Sequence, residues 1–149
     1  MRVVIVGCGK TKVDHSCPAR DMYQSELFRK RRAYAEKSSD AWFILSAKHG
    51  LLHPDTVIEP YDETLNDVVI GLWQMQVNAQ VEDILRQFPG EFLLFEVHAG
   101  KNYVRNLEYA LSIAGLSQID YFQLFVPLAG LGIGSQLAWY NSWPEGRTV

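Results

Sequence analysis

Apolar and polar positions alternate along this chain in two rhythms. Arg2-Val3-Val4-Ile5-Val6 is a short, mostly β-branched run that meets Gly7-Cys8-Gly9, the pattern of a buried strand running into a tight turn. A polar stretch from Lys10 to about Arg20 reads as a loop. Ser25 is placed to cap a helix from Glu26 to about Lys37, with Leu27, Ala33 and Ala35 among its less polar positions. Ala41 to Ser46 is a second strand. The segment from Ala47 to about Glu63, broken by Gly50, Pro54 and Pro60, reads as a long loop. Long loops in compact domains are usually functional or disordered, and Lys48, His49, His53, Tyr61 and Asp62 in this one point to function. From about Asn66 to Phe88, Val69, Leu72, Trp73, Met75, Gln76, Val81 and Leu85 fall mostly on one helical face, and Pro89-Gly90 ends the helix. Phe92 to Val97 is a third strand. Asn102 to Ala114 is a helix with Gly115 at its C-terminal cap, and Ile119 to Val126 is a fourth strand. Pro127 to Gly134 turns the chain into a last short helix from Ser135 to about Tyr140.

Strands alternating four times with helices predict a mostly parallel, four-stranded sheet with helices on both faces, a three-layer α/β/α domain. The 149 residues, 48% hydrophobic and 21% charged, suit one domain over 1–149 with a packed core. No apolar run approaches the ~20 residues of a membrane span. The apolar N-terminus is short and lacks a cleavage pattern. The expectation is a soluble, cytoplasmic protein with no membrane partner, in which Cys8 and Cys17 stay reduced. The formal net charge of −3 conceals a basic surplus within residues 1–40 and an acidic surplus beyond them. One end could therefore face an anion such as a phosphate backbone.

In such folds the site lies outside the C-terminal ends of the strands, where strand order reverses. Four post-strand segments qualify: 7–21, 46–62, 98–103 and 127–134. Gly9-Lys10-Thr11 resembles the end of a P-loop, but Val4 stands where the first glycine of that motif belongs. The turn Gly7-Cys8-Gly9 still lets backbone N–H groups approach a ligand. Gly130-Leu131-Gly132-Ile133-Gly134 follows the last strand instead of the first, which argues against a dinucleotide fingerprint. It can receive a phosphate at a helix N-terminus, or serve only close helix–sheet packing. Cys8, His15, Cys17, His49 and His53 show no metal-ligand spacing, so no metal is expected. Cys8 suits a small buried residue better than a nucleophile.

Arg20, Asp21, Tyr23 and Ser25 place a cation, a carboxylate and an aromatic just before a helix. The carboxylate could orient water or stabilise a cationic transition state, and the aromatic could stack on a base. The structural alternative is a capping acid and a half-buried tyrosine. Lys48-His49 can bind an anion or donate a proton to a leaving group, and Pro60-Tyr61-Asp62 adds a second aromatic and carboxylate. His98-Ala99-Gly100-Lys101-Asn102-Tyr103 repeats the theme after the third strand, with small residues that admit a ligand and a helix N-terminus beyond them. Arg29-Lys30-Arg31-Arg32 could follow a nucleic-acid backbone, although four successive residues fan around a helix.

Taken together, Cys8-Gly9-Lys10-Thr11-Lys12, the stretch Ala19 to Arg29, Ser46 to Leu52 with Pro60-Tyr61-Asp62, and Pro127 to Gly134 resemble a small family of bacterial and phage proteins. That family is similar in architecture to the uracil-DNA glycosylase superfamily and to a domain of archaeosine synthase. The resemblance implies a uracil-DNA glycosylase-like fold and a base-excising or base-modifying enzyme; some antiphage DNA glycosylases look like small members of the group. Such glycosylases carry an Asp-Pro-Tyr-His-like stretch after the first strand. Its nearest counterpart here is Asp21-Met22-Tyr23-Gln24, without the Pro and His, which leaves Asp62 as a rival. The superfamily's His-Pro-Ser stretch after the last strand is replaced by Pro127-Leu128-Ala129-Gly130, so His98 or His49 could contact the base.

The expected activity is cleavage of the N-glycosidic bond of a modified base in DNA, in phage defence, with the nucleotide flipped out of the stack. Asp21 or Asp62 would stabilise the oxocarbenium-like sugar and orient water. Lys48 and His49 would hold the departing base or a phosphate, and Tyr23 and Tyr61 would wall the base. Arg20, Arg29 and the turn Cys8-Gly9-Lys10 would grip the backbone, with Ser25, His98, Gly100 and Tyr103 completing the binding surface. DNA is the expected partner, and the chemistry needs no metal or cofactor. Two alternatives stay open: an N-glycosidase or transferase on free nucleosides or nucleotides, using the same pocket without the basic helix, and a non-catalytic module that binds modified nucleic acid.

Overall fold

The computed structural model describes residues 1–113 and 122–143. In chain order its elements are β1 (Arg2–Gly7), β2 (Cys17–Pro18), α1 (Ala19–Met22), α2 (Glu26–Ser38), β3 (Ala41–Ser46), β4 (Gly50–Leu52), β5 (Val57–Ile58), α3 (Ile70–Gln87), β6 (Leu93–His98), α4 (Lys101–Ser112), β7 (Phe122–Phe125) and α5 (Ile133–Ser142).

The near-continuous apolar run of β1 reflects burial on both faces, as a central parallel strand requires. Val3 and Ile5 point into one core with Phe43, Leu45, Phe95 and Val97, closed by Trp73, Val77, Val81 and Ile84 of α3 and by Leu107, Ala110 and Leu111 of α4. Val4 and Val6 point into the other with Ile44, closed by Phe28, Tyr34 and Ala35 of α2 and Tyr140 of α5. The sheet thus lies between α3 and α4 on one side and α2 and α5 on the other. Each fully buried aliphatic or aromatic side chain contributes ~1.5–3 kcal/mol.

The sheet order is β4-β3-β1-β6-β7. β1 pairs in parallel with β3 (Val3 opposite Ala41) and with β6 (Val3 opposite Phe95), and β6 pairs in parallel with β7. The chain steps from β1 to β3 on one side, then crosses to β6 on the other. The order therefore reverses at β1, and a crevice opens outside Gly7 and His98.

Among the described residues the sheet has five strands rather than the four expected, because β4 folds back antiparallel on β3, with Leu51 opposite Leu45. Three residues are too few to carry a readable periodicity. Nor is the 47–63 segment a structureless loop. β5 pairs with β2, Ile58 opposite Cys17, and Ala19 N–H donates to Thr56 O at 2.8 Å. This clasp also orders the polar stretch expected to be a loop between Lys10 and Arg20.

Ser25 caps α2 as its position predicts: its hydroxyl accepts from Phe28 N–H at 3.1 Å. The buried face of α2 is Phe28, Arg31, Tyr34 and Ala35, whereas Ala33 is exposed. α3 begins at Ile70 instead of near Asn66, because Thr64 and Asp67 close a turn first: Asp67 Oδ2 accepts from Thr64 N–H at 2.8 Å. Its buried residues are Trp73, Val77, Val81 and Ile84, while Val69, Leu72 and Met75 stand exposed. The face expected for this helix is therefore rotated. The third strand is shifted by one residue, and the last helix begins at Ile133, two residues before Ser135. Ala114, Gly115 and the start of the expected fourth strand at Ile119 lie outside the described residues. Cys8 and Cys17 are free thiols. Among the described residues, no helix is long and apolar enough to cross a membrane.

Candidate functional site

At the point where strand order reverses, the chain leaves β1 through Cys8-Gly9 and enters α4 past Gly100. A cleft of about 260 Å³ opens there, lined by Cys8, Gly9, Lys10 and Lys12 from the first segment, by residues 62–66, and by Asn102 and Tyr103 from the first turn of α4. Gly9 lets the turn lie close to α2: a Cβ there would lie 2.9 Å from the Ser25 hydroxyl, which would have to move. The same hydroxyl caps α2, so Ser25 shapes the turn from behind.

Beside this cleft lies a chain of hydroxyl groups. The Tyr61 hydroxyl is 2.6 Å from that of Tyr23 and 2.7 Å from that of Ser46, which accepts from His49 N–H at 3.2 Å. Lys12 Nζ stands 4.5 Å from the centroid of the Tyr61 ring and 5.9 Å from that of Tyr23, and it donates to Lys10 O at 3.0 Å. These cation–π contacts hold the ammonium at the cleft. Cys8 Sγ is 3.4 Å from the Tyr103 hydroxyl. Burial pushes Tyr23 up to about 12 and drives Tyr61 and Tyr103 further up. All three phenols stay protonated at neutral pH and can donate hydrogen bonds.

Asp62 and Asp21, the two rival carboxylates, part company here. Asp62 lines the cleft with the two lysines. Asp21 is held on the surface of α1, where Arg32 donates to it at 2.9 Å and Arg20 Nε stands at 4.0 Å. Arg20 also pairs with Asp55, and Arg32 with Glu36 at 2.7 Å. Of the basic run, Arg31 is buried and Arg32 ion-paired, leaving Arg29 exposed and Lys30 half-buried.

Tyr23 is itself buried, its hydroxyl engaged by Tyr61, so it forms the base of the arrangement and not an open wall. Lys48 is exposed on the β3–β4 turn and does not line the cleft. The His49 ring packs edge-on against Tyr61 at 5.4 Å. Burial, and then Lys48, pull its pKa down, and its Nε2 is buried without a partner among the described residues. His98 does not face the cleft. Its ring is buried between Glu96, at 2.6 Å from Nε2, and the Tyr140 hydroxyl, at 2.6 Å from Nδ1. Gly100 is the exposed N-cap of α4. Among the described residues, no group of three or more His, Cys, Asp or Glu side chains is placed to hold a metal ion.

Lys12, Glu63, Thr64, Asn66 and Asn102 line the cleft without having been singled out as site residues. Asn102 carried a readable signal, since it opens a helix directly after a strand. The 63–66 segment carried none, because an expected helix start obscured it. Buried Glu96 had a signal that went unused: a carboxylate inside the apolar run Phe92 to Val97.

A family model described as a family of unknown function, DUF6884, matches residues 3–142. A protein of Bacillus subtilis (strain 168), "Uncharacterized protein YfjM", is 40% identical over 70 residues. That alignment covers 42% of this chain and 47% of the relative, so less than half of the relative's length is matched. No solved structure gives a significant match.

Proposed function

This chain belongs to the family of unknown function DUF6884, and we propose that it hydrolyses the N-glycosidic bond of a nucleoside unit held in the cleft outside β1 and β6. The observation that carries this reading is the position of Asp62. It lines a cleft of about 260 Å³ together with Lys10, Lys12 and Tyr103, whereas Asp21 lies outside it in ion pairs with Arg32 and Arg20. In the reaction, the C1′–N bond breaks and its electron pair leaves with the base. Asp62 stabilises the positive charge that develops on the sugar and accepts a proton from the water that adds to C1′. The departing base takes a proton from solvent, balanced by the water proton that Asp62 accepts and releases, and is held by donors of the same cleft: the Tyr103 phenol and the ammonium groups of Lys10 and Lys12.

The state of the basic run bears on the choice of substrate. With Arg31 buried and Arg32 tied to Asp21 and Glu36, α2 has no row of free guanidinium groups to follow a phosphate backbone. This favours a free nucleoside or nucleotide over duplex DNA. The DNA glycosylase reading is the second one, and cleft size favours it: room for one nucleoside admits a flipped-out nucleotide as readily as a free one.

The test is base release, followed by chromatography, from free nucleosides, nucleoside monophosphates, and DNA bearing normal, uracil-containing or hypermodified bases. Asp62→Asn is expected to lose ~10²–10⁴-fold in rate, while Asp21→Asn stays within about threefold of the parent. The reverse order would sink the assignment of Asp62. Release from none of the substrates, with binding retained, would replace the enzyme by a binding module.

A further inference from the structure

Arg31 is 6% exposed, and its guanidinium is bonded to neutral groups, the Tyr140 hydroxyl among them. Among the described residues no carboxylate lies within ion-pair distance of it; Nη2 donates to Gln136 Oε1 at 3.0 Å, and Nε is buried without a partner. The buried acid on this face, Glu96, is already matched by Arg2 at 2.5 Å. A buried cation is normally paired, because removing it from water is costly. The guanidinium sits at a tight place between strand ends: a Cβ on Gly7 would lie 3.3 Å from Arg31 Nη1 and 3.1 Å from Ala99.

Ala99 and Gln136, which flank that guanidinium, also line a crevice of about 500 Å³ outside the ends of β6 and β7. Val97, Val104 and Leu128 supply an apolar wall. α4 and α5 both begin at the crevice, after Gly100 and Gly132, and among the described residues neither N-terminus receives a side-chain cap. The first-turn N–H groups of two helices and their dipoles are thus available to an anion, beside Lys101 at the rim.

We propose that this crevice is a second binding site, for an organic phosphate monoester whose phosphate sits between the N-termini of α4 and α5 and whose apolar body lies against Val97, Val104 and Leu128. Arg31 supplies the compensating charge from behind Ala99 and Gln136. A monoester is favoured over bare phosphate because much of the wall is apolar, and over a neutral ligand because the charged side chain lining the crevice among the described residues is Lys101. The site adjoins the Asp62 cleft, with the first turn of α4 between the two, and does not depend on the reading of that cleft.

The experiment is titration calorimetry on the full chain with phenyl phosphate, inorganic phosphate and phenol. Phenyl phosphate is expected to bind more tightly than either of the others. Lys101→Glu, a change at an exposed position, is expected to weaken it about tenfold or more. Arg31→Met is expected to abolish binding; should that variant not fold, Lys101→Glu carries the test. Asp62→Asn leaves phenyl phosphate binding in place, so this proposal and the N-glycosidic reading fail separately. Absence of binding to the parent chain overturns the proposal. So does binding that survives Lys101→Glu, or binding lost in the Lys10→Glu, Lys12→Glu double variant but kept in Lys101→Glu, which would place the anion in the neighbouring cleft.

Discussion

A carboxylate in the middle of a parallel strand must find its donors inside the protein. Glu96 accepts from Arg2 and from His98 Nε2, and Arg2 in turn donates to the Tyr34 hydroxyl. Burial by itself would raise the Glu96 pKa, but hydrogen bonds from His98 and Tyr34 hold it below the usual carboxylate range. Burial likewise pulls His98 down, so the pair consists of an ionised acid and a neutral imidazole that accepts from Tyr140 at Nδ1. Glu96→Ala leaves Arg2 and His98 without their acceptor and is expected to lower unfolding free energy by ~3–5 kcal/mol in urea titrations. Tyr140→Phe takes the hydroxyl from His98 Nδ1 and from the Arg31 guanidinium and is expected to cost ~1–3 kcal/mol by the same measurement. His98 shows where reading single residues stops. Its position after an apolar strand suits a ligand contact as well as a core histidine, and only its burial between Glu96 and Tyr140 separates the two.

Element by element, the chain is most legible where a local rule is sufficient. The Ser25 cap follows from one hydroxyl before a helical stretch, and Ser25→Ala is expected to cost about 1 kcal/mol, read as a lowered Tm. β4 obeys no such rule, because it depends on α3. Gly50 holds a φ of +65°, and a Cβ there would lie 2.4 Å from Gln80 Oε1. Gln80 accepts from Leu51 N–H at 2.7 Å and donates to His49 O at 2.9 Å, while Trp73 Nε1 donates to Ser46 O at 3.0 Å. Gly50→Ala is therefore expected to destabilise by more than the ~1–2 kcal/mol of a left-handed backbone alone. It should also raise amide exchange at Leu51; unchanged exchange there would mean that Gln80 does not hold the hairpin. The rotated face of α3 has the same origin. Trp73 and Gln80 are set by the β3–β4 hairpin, which the helix's own periodicity does not encode.

At the scale of the molecule the two buried shifts act in the same direction with pH. The folded-state pKa of His98 lies below its ordinary 6.5, and that of Glu96 below its ordinary 4.5. In each interval the unfolded chain binds more protons than the folded one, so stability is lost as pH falls. The urea midpoint is expected to hold above pH 6.5, decline below it, and steepen below 4.5. A midpoint that rises on acidification from neutrality would contradict the assigned protonation states. The sequence by itself determined the alternation of strands and helices, the two-faced burial of β1 and the three-layer arrangement, because apolar periodicity is a local property that the core must obey. It also placed the chemistry-bearing residues at strand ends, since glycines and polar side chains cluster where apolar runs stop. Which of these residues share a cleft was decided only by the tertiary structure. Asp62 and Lys12 are 50 positions apart and meet through the β2–β5 clasp and the turn at Thr64. Asp21 was removed by ion pairs to Arg32 and Arg20, and Arg31 was drawn out of the basic run into the interior. Ion pairing and the burial of a charge depend on long-range packing, which no spacing along the chain records.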